Sequence, residues 1–202
     1  VIEEKLARPI LIGRPSVIEQ RIKKIGLNLV PGRDFELVNV EDDPRYRELW
    51  MDYHRMMFRG GVTTETAKAK LRRDTTLIGA MLLRRGDADA LVCGTFGTYD
   101  YHVRQVRDVV GLSPDAKLLA TMSILLLPKR VLAIADTYVN ENPTAEEVAD
   151  IAEMAADELK RFGIEPKVAL LSHSNFGSAR SSSALKMRAA RDMLRERRPD
   201  IE

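Results

Sequence analysis

A single cysteine in 202 residues, Cys93, leaves the chain without the means to form an internal disulfide. A fold held by its own core, in a reducing cytoplasm, is therefore expected. Long apolar runs are also missing: no stretch approaches the ~20 residues that a membrane span needs, and no signal-peptide pattern is visible. Charge of one sign is not in excess either. The formal net charge is +2, and acidic and basic residues alternate along most of the chain. The broad positive field of a nucleic-acid or membrane binder is thus absent, and neither partner is expected. No Gly-rich phosphate fingerprint of the G-x-G-x-x-G or G-x-x-x-x-G-K-[ST] type occurs. The three histidines, His54, His102 and His173, stand far apart with no cysteine or second histidine beside them, so no metal site is expected. No internal repeat at a fixed period and no low-complexity tract appears. The chain has no initiator Met and closes on "RERRPDIE", which suggests a piece of a longer protein.

What is present alternates between apolar runs and helical periodicity. "RPILIG" (8–13) reads as a strand and "PSVIEQRIKKIG" (15–26) as a helix stopped by Gly26; "FELVNV" (35–40) is a second strand. Residues 44–58 form a helix with Pro44 in its first turn and Tyr46, Leu49, Trp50, Tyr53 and Met57 on one face. Two short helices flank Asp74, "DALVCG" (89–94) reads as a buried strand, and residues 98–110 are helical. Residues 118–127 and 131–136 read as adjacent strands joined by Pro128-Lys129-Arg130. Thr144 with Glu147 three residues on is a capping-box pattern. The helix it opens buries Val148, Ile151, Ala152, Ala155, Leu159 and Phe162 and stops at Gly163. "KVALLS" (167–172) is a last strand, followed by a helix over 183–195. Strands separated by helices predict an α/β fold, a three-layer αβα arrangement with a mainly parallel sheet.

Ligands of such sheets sit beyond the carboxyl ends of strands. Three polar segments fall there: Cys93-Gly94-Thr95, Asp136-Thr137 with Asn140, and residues 172–178 in "LLSHSNFGSARSSS". That last loop offers backbone N–H groups, hydroxyls, an amide and a histidine to an anion or a carbonyl, or else is plain turn chemistry. His173 either orients a ligand or bonds backbone. His54 reads as a partly buried packing residue and Cys93 as a small buried hydrophobe. Asp136 is either a base or the holder of its turn. Arg104 is either a bidentate phosphate clamp or a solvated surface group.

Taken in order, "RPILIG", "GGVTTETA", "RRGDADALVCG", "HVR", "VLAIADTYVNENPTAEEVADIA" and "FGIEPKVALLSHSNFGS" resemble the phosphate acetyltransferase and butyryltransferase family. Among its members the chain is most similar to the phosphotransacetylase-like C-terminal part of bacterial NADP-dependent malic enzymes. The resemblance covers essentially all 202 residues. It implies two α/β lobes, placed at 1–117 and 118–202, with a cleft for coenzyme A. By the resemblance Arg104 falls at the arginine of the family's "TIRP" motif, and Gly94 and Thr98 match. Active members read "SGA" at Cys93-Gly94-Thr95, "GD" at Ala135-Asp136, and carry a glycine near Ala179. Tyr99, Asp100 and Tyr101 replace small or amide residues, and bulk with a negative charge there opposes an acyl-phosphate substrate. The family's "DLSRG" segment, source of a catalytic Ser, Arg and later Asp, is absent, as is the first strand of the family domain, so the resemblance implies truncation at both ends.

The resemblance therefore implies a non-catalytic piece that binds acetyl-CoA or coenzyme A as effector. Its effector residues would be Gly94, Thr95, Thr98, Arg104, Asp136, Asn140, Ser172, Ser174, Asn175, Gly177 and Ser178. The parent would oxidatively decarboxylate malate to pyruvate, with NADP and divalent Mg or Mn bound in another domain, and would assemble as a homo-oligomer through this part. Two rival readings remain: a true phosphate acyltransferase using Arg104 as its clamp, and a purely structural oligomerisation domain built on segments such as "TMSILLL".

Overall fold

The computed structural model describes residues 1–202, which gather into two compact units, Val1–Gly111 and Leu112–Glu202. In the first unit, β1 (Ile10–Ile12) and β2 (Glu36–Val38) pair in parallel, with Ile10 opposite Glu36 and Ile12 opposite Val38. The connection is α1 (Pro15–Lys24), which starts on Pro15, where the missing N–H costs no helical bond. Next come α2 (Tyr46–Met57), α3 (Thr64–Arg73), α4 (Thr75–Arg85) and α5 (Tyr99–Val109). Pro44 lies just outside α2, before its cap Arg45, rather than in its first turn. One residue separates α3 from α4: the Asp74 N–H closes α3 on Lys70, and its Oδ1 accepts from Leu77 N at 2.9 Å to open α4.

Helix α4 is the axis of this unit. Every residue from Thr76 to Leu82 is buried, so it shows no amphipathic stripe, as expected of a helix enclosed on all sides. Leu77, Ile78, Met81 and Leu82 pack with Val38, Leu49, Tyr53, Leu71 and Val109 in one cluster. Burying side chains of this size contributes roughly 1.5–3 kcal/mol each.

The second unit is built from smaller parts. β3 (Met122–Leu127) and β4 (Arg130–Ala135) form an antiparallel hairpin, with Leu127 opposite Arg130 across the Pro128-Lys129 turn. α6 (Ala145–Arg161) starts with the reciprocal capping box of Thr144 and Glu147, as the spacing predicts. It packs on α7 (Ser182–Arg197) through small side chains: Ala149, Ala152 and Ala156 on one helix, Ala184 and Ala190 on the other. The buried face of α6 differs from its sequence reading, since Phe162 is exposed while Ala149 and Ala156 are buried. Alanines let the two helix axes approach closely, and Phe162 sits at the cap, beyond the last packed turn.

The fold is α/β, but with less sheet than the apolar runs predict. Neither 89–94 nor 167–172 is a strand. A ladder needs a neighbour for its N–H and C=O groups, and an apolar run does not supply one. Around 167–172, Val168 N–H donates to Glu202 O. In 89–94 only Leu91 is anchored: a Cβ added to Gly79 of α4 would lie 2.5 Å from Leu91 Cδ1, so the glycine provides its seat. Val92 is 97% exposed. Cys93 is exposed as well, contrary to its reading as a buried hydrophobe, because the segment that carries it is no strand. His54 is half-buried and packs beside Phe58, as expected.

Candidate functional site

The first unit holds Gly94, Thr95, Thr98 and Arg104 in the loop 91–98 and in α5. Thr98 is the N-cap of α5, its Oγ1 accepting from Tyr101 N. His102, one turn on, reaches two earlier segments at once. Its Nε2 lies 2.6 Å from the Phe96 carbonyl and its Nδ1 2.8 Å from Thr76 Oγ1. A carbonyl only accepts, so Nε2 carries a proton; in the neutral ring Nδ1 then accepts from the Thr76 hydroxyl. Gly97 lies against this ring, its missing Cβ only 3.0 Å from His102 Nε2. Beside it the Tyr101 hydroxyl donates to Asp74 Oδ2. Burial, reinforced by that carboxylate, pushes the Tyr101 phenol up to about 12. Arg104 is exposed and paired with Asp100, four residues earlier, at 2.5 Å. Its guanidinium is therefore already partly neutralised. Thr95 and the Phe96 ring project from this loop, with Phe96 92% exposed.

In the second unit the structure brings Asp136 and Asn140 together. Asp136 Oδ1 accepts from Thr121 N at 3.0 Å and Thr121 Oγ1 at 2.7 Å, while Oδ2 accepts from Asn140 N and Nδ2, both at 2.6 Å. Behind Thr121 lies a relay: Ser123 Oγ donates to Thr137 Oγ1, and Thr137 Oγ1 lies 3.1 Å from Thr121 Oγ1. The one Thr121 hydroxyl proton goes to Asp136, so Thr137 is the donor in that pair and all three hydroxyls point toward the carboxylate. Burial works to raise the Asp136 carboxyl, but the hydrogen bonds from Thr121 and Asn140 outweigh it and hold it below the ordinary range. With both oxygens doubly occupied, Asp136 joins β4, the start of β3 and the following turn; it has no free lone pair with which to take a proton from a substrate.

The loop 172–181 is the opposite case. Its backbone is tied by Ala179 N to Ser174 Oγ at 3.0 Å, Ser178 N to Asn175 O at 3.0 Å and Ser178 Oγ to Asn175 O at 2.7 Å. Arg188 of α7 supports it from below, donating from Nη2 to Ala179 O at 3.0 Å with its Cδ beneath Gly177. At the tip Phe176 and Gly177 both take left-handed φ values, 47° and 74°, costing about 1–2 kcal/mol at the non-glycine position. The outward groups are unspent: the side chains of Ser172, His173, Asn175 and Arg180 make no hydrogen bond within the chain.

The profile of the phosphate acetyl/butaryl transferase family matches residues 1–202. The chain belongs to this family. It is 54% identical over 196 residues to an NADP-dependent malic enzyme of Salmonella typhimurium, covering 97% of this chain and 26% of that protein. A phosphate acetyltransferase of Synechocystis is 34% identical over 203 residues, covering the whole of this chain and 29% of that protein. Among solved structures, a phosphotransacetylase from Streptococcus pyogenes superposes with a TM-score of 0.84 at 27% identity, over 98% of this chain and 60% of that one. The chain thus spans about a quarter of the length of the malic enzyme it matches.

For this member of the phosphotransacetylase family, the geometry separates residues that the sequence could only group. Gly94, Thr98, Asp136 and Asn140 hold local structure, whereas Asn175 and Ser172 present polar groups with nothing in the chain to satisfy them. Two residues that hold these sites escape the sequence reading. His102, in the first turn of α5 just after Gly94 and Gly97, carries no metal-like neighbour to single it out. Thr121 is 15 residues from Asp136, a spacing no local pattern flags.

Proposed function

We propose that the chain is a phosphotransacetylase-like effector module of a malic enzyme, binding acetyl-CoA and coupling its occupancy to oxidation of malate elsewhere in the protein. The observation that carries this reading is the identity itself, 54% to a malic enzyme against 34% to a phosphate acetyltransferase, over nearly the whole chain in both cases. In unit two, the unspent polar groups of loop 172–178 would receive the amides of the pantetheine arm. The malate chemistry, with NADP and a divalent metal, belongs to the remainder of the protein. Coupling requires acetyl-CoA to prefer one arrangement of the assembly over another, typically by about 1–3 kcal/mol. The β3–β4 hairpin supports self-association through this domain. Leu126 is 82% exposed, and Leu125, Leu127, Val131, Leu132 and Ile134 are exposed around it, an apolar ribbon of the kind that interfaces cover.

The test is a titration of the complete malic enzyme with acetyl-CoA while NADPH formation from malate is followed. A saturable change in rate is expected, and no formation of acetyl-CoA from acetyl phosphate and coenzyme A. Turnover in the second assay at an ordinary acetyltransferase rate, with no effect of acetyl-CoA in the first, would replace the regulatory reading by the acyltransferase one.

A further inference from the structure

One continuous element fastens loop 172–181 on both sides: α7, with residues 198–202 that follow it. The exit of the loop runs into α7, where Ser181 caps the helix and Arg188 holds the Ala179 carbonyl at 3.0 Å. The stretch that enters the loop is tied by 198–202. Val168 N–H donates to Glu202 O at 2.7 Å, and Lys167 pairs with the Glu202 carboxylate. Whatever holds 198–202 in place therefore also holds the entry of the loop.

That hold is mostly charge. Arg198 reaches Asp157 of α6 at 3.0 Å and Asp200 at 2.9 Å, and Lys160 of α6 meets Asp200 at 2.7 Å. One residue earlier, Arg197 reaches Asp150 and Glu153 of α6 at 2.8 and 3.6 Å. Asp150, Glu153 and Asp157 stand three and four positions apart on one face of α6. Like charges at that spacing weaken a helix, so α6 gains from cations that the end of α7 supplies. Apolar anchoring is slight: none of residues 197–202 is buried, and only Arg198 and Ile201 are partly so. Ion pairs this exposed contribute little one by one and are screened by salt. A fastening made of a few of them opens locally before the surrounding structure unfolds. Arg198 first, and then Lys160, hold the Asp200 carboxyl well below the ordinary range. It stays charged through the mildly acidic range, so the fastening answers to salt rather than to acid.

We propose that residues 198–202 form a salt-released strap that sets the order of loop 172–181. Docked on α6 through Arg198, Asp200 and their partners, the strap fixes the entry of the loop while α7 fixes its exit. Undocked, the strap frees Val168, and the loop is left held on one side only. Strap and loop then open together while α6 stays folded. On the effector reading above, on which this last step alone rests, the ordered loop is the form that receives acetyl-CoA, so release of the strap lowers effector affinity.

The experiment is hydrogen exchange read by mass spectrometry on the complete protein, comparing wild type with Arg198→Gln and Arg198→Lys at low and high salt. Peptides spanning 164–171 and 172–181 report the strap and the loop, and those spanning 145–161 report α6. At low salt Arg198→Gln should speed exchange in both of the first two roughly 2- to 10-fold, with α6 unchanged. Arg198→Lys, which keeps the charge, should stay close to wild type. High salt should bring wild type to the level of Arg198→Gln and move that variant little further. The strap is overturned if 164–171 is freed while 172–181 keeps its protection, if neither changes, or if α6 loses protection in step with them. Acetyl-CoA titration of the same proteins tests the last step: equal affinity in wild type and in an Arg198→Gln protein with a loosened loop would overturn it. Failure of wild type to bind acetyl-CoA would instead overturn the effector reading, and the exchange data would still decide the strap.

Discussion

The two units each present a loop with the order aromatic, glycine, hydroxyl: Phe96-Gly97-Thr98 in the first and Phe176-Gly177-Ser178 in the second. Each follows an apolar stretch that is not a strand, and each leads to a helix. In the first, the polar groups are consumed by the protein itself, with His102 on the Phe96 carbonyl, Thr98 capping α5, and Asp100 on Arg104. In the second, the backbone is closed but the Asn175 and Arg180 side chains are left over, and the segment 167–191 carries no carboxylate. Similar motifs thus differ in what they have to offer a ligand, and the difference lies in the bookkeeping of donors and acceptors rather than in residue type.

The largest expected effect lies in the second unit, at Asp136. Asp136→Ala strips Thr121 and Asn140 of their acceptor and should cost about 3 kcal/mol in urea-induced unfolding, with Asp136→Asn costing less. Because the folded-state value of this carboxyl is depressed, its contribution is present above about pH 4, the ordinary value for Asp, and is lost as pH falls through the lower folded-state value. A stability of Asp136→Ala equal to that of wild type at neutral pH would remove this residue from its structural role and reopen it as a ligand or catalytic group.

The first loop is challenged by His102→Ala, which frees both the Phe96 carbonyl and the Thr76 hydroxyl. A loss of about 2 kcal/mol in stability is expected, with acetyl-CoA affinity following only the fraction folded. Loss of affinity in a fully folded His102→Ala protein would make the first loop a ligand contact and erase the contrast. Tyr101→Phe is milder, about 0.5–1 kcal/mol, since the ring is 42% exposed. Its phenol should titrate near 12 in ultraviolet difference spectra. With its folded-state value raised, the contribution of this group is fully present below the ordinary tyrosine value of about 10 and disappears as pH rises through about 12. Smallest is Arg104→Ala, an exposed pair with Asp100 worth at most about 0.5 kcal/mol of stability.

Local chemistry was legible in the sequence and satisfaction was not. The capping box of Thr144 and Glu147, the Asp74 junction and the glycine stops depend on residues a few positions apart, so spacing reveals them. The Asp136–Asn140 pair was visible for the same reason. Arg104 and Asp100, four apart on a helix, are readable as a pair too, beside the reading of that carboxylate as a repulsion toward substrate. Residues 89–94 and 167–172 read as strands and are none, because apolar character reports a tendency to burial, while a strand also needs a partner that a one-dimensional pattern does not name. Which polar side chains remain unpaired is likewise a three-dimensional property: Asn175 and Ser174 look alike in sequence, yet one is spent on the turn and the other is not.

The contrast between the loops is tested most directly by acetyl-CoA affinity in the complete protein carrying Asn175→Ala, compared with wild type at equal melting temperature. The exposed Asn175 side chain makes no hydrogen bond within the chain, so its removal should leave stability unchanged and weaken acetyl-CoA binding by roughly 5- to 10-fold, the loss of about one to two ligand hydrogen bonds. Unchanged affinity in a protein of unchanged stability would contradict the account, because the side chain most clearly left over in the second loop would then serve no ligand.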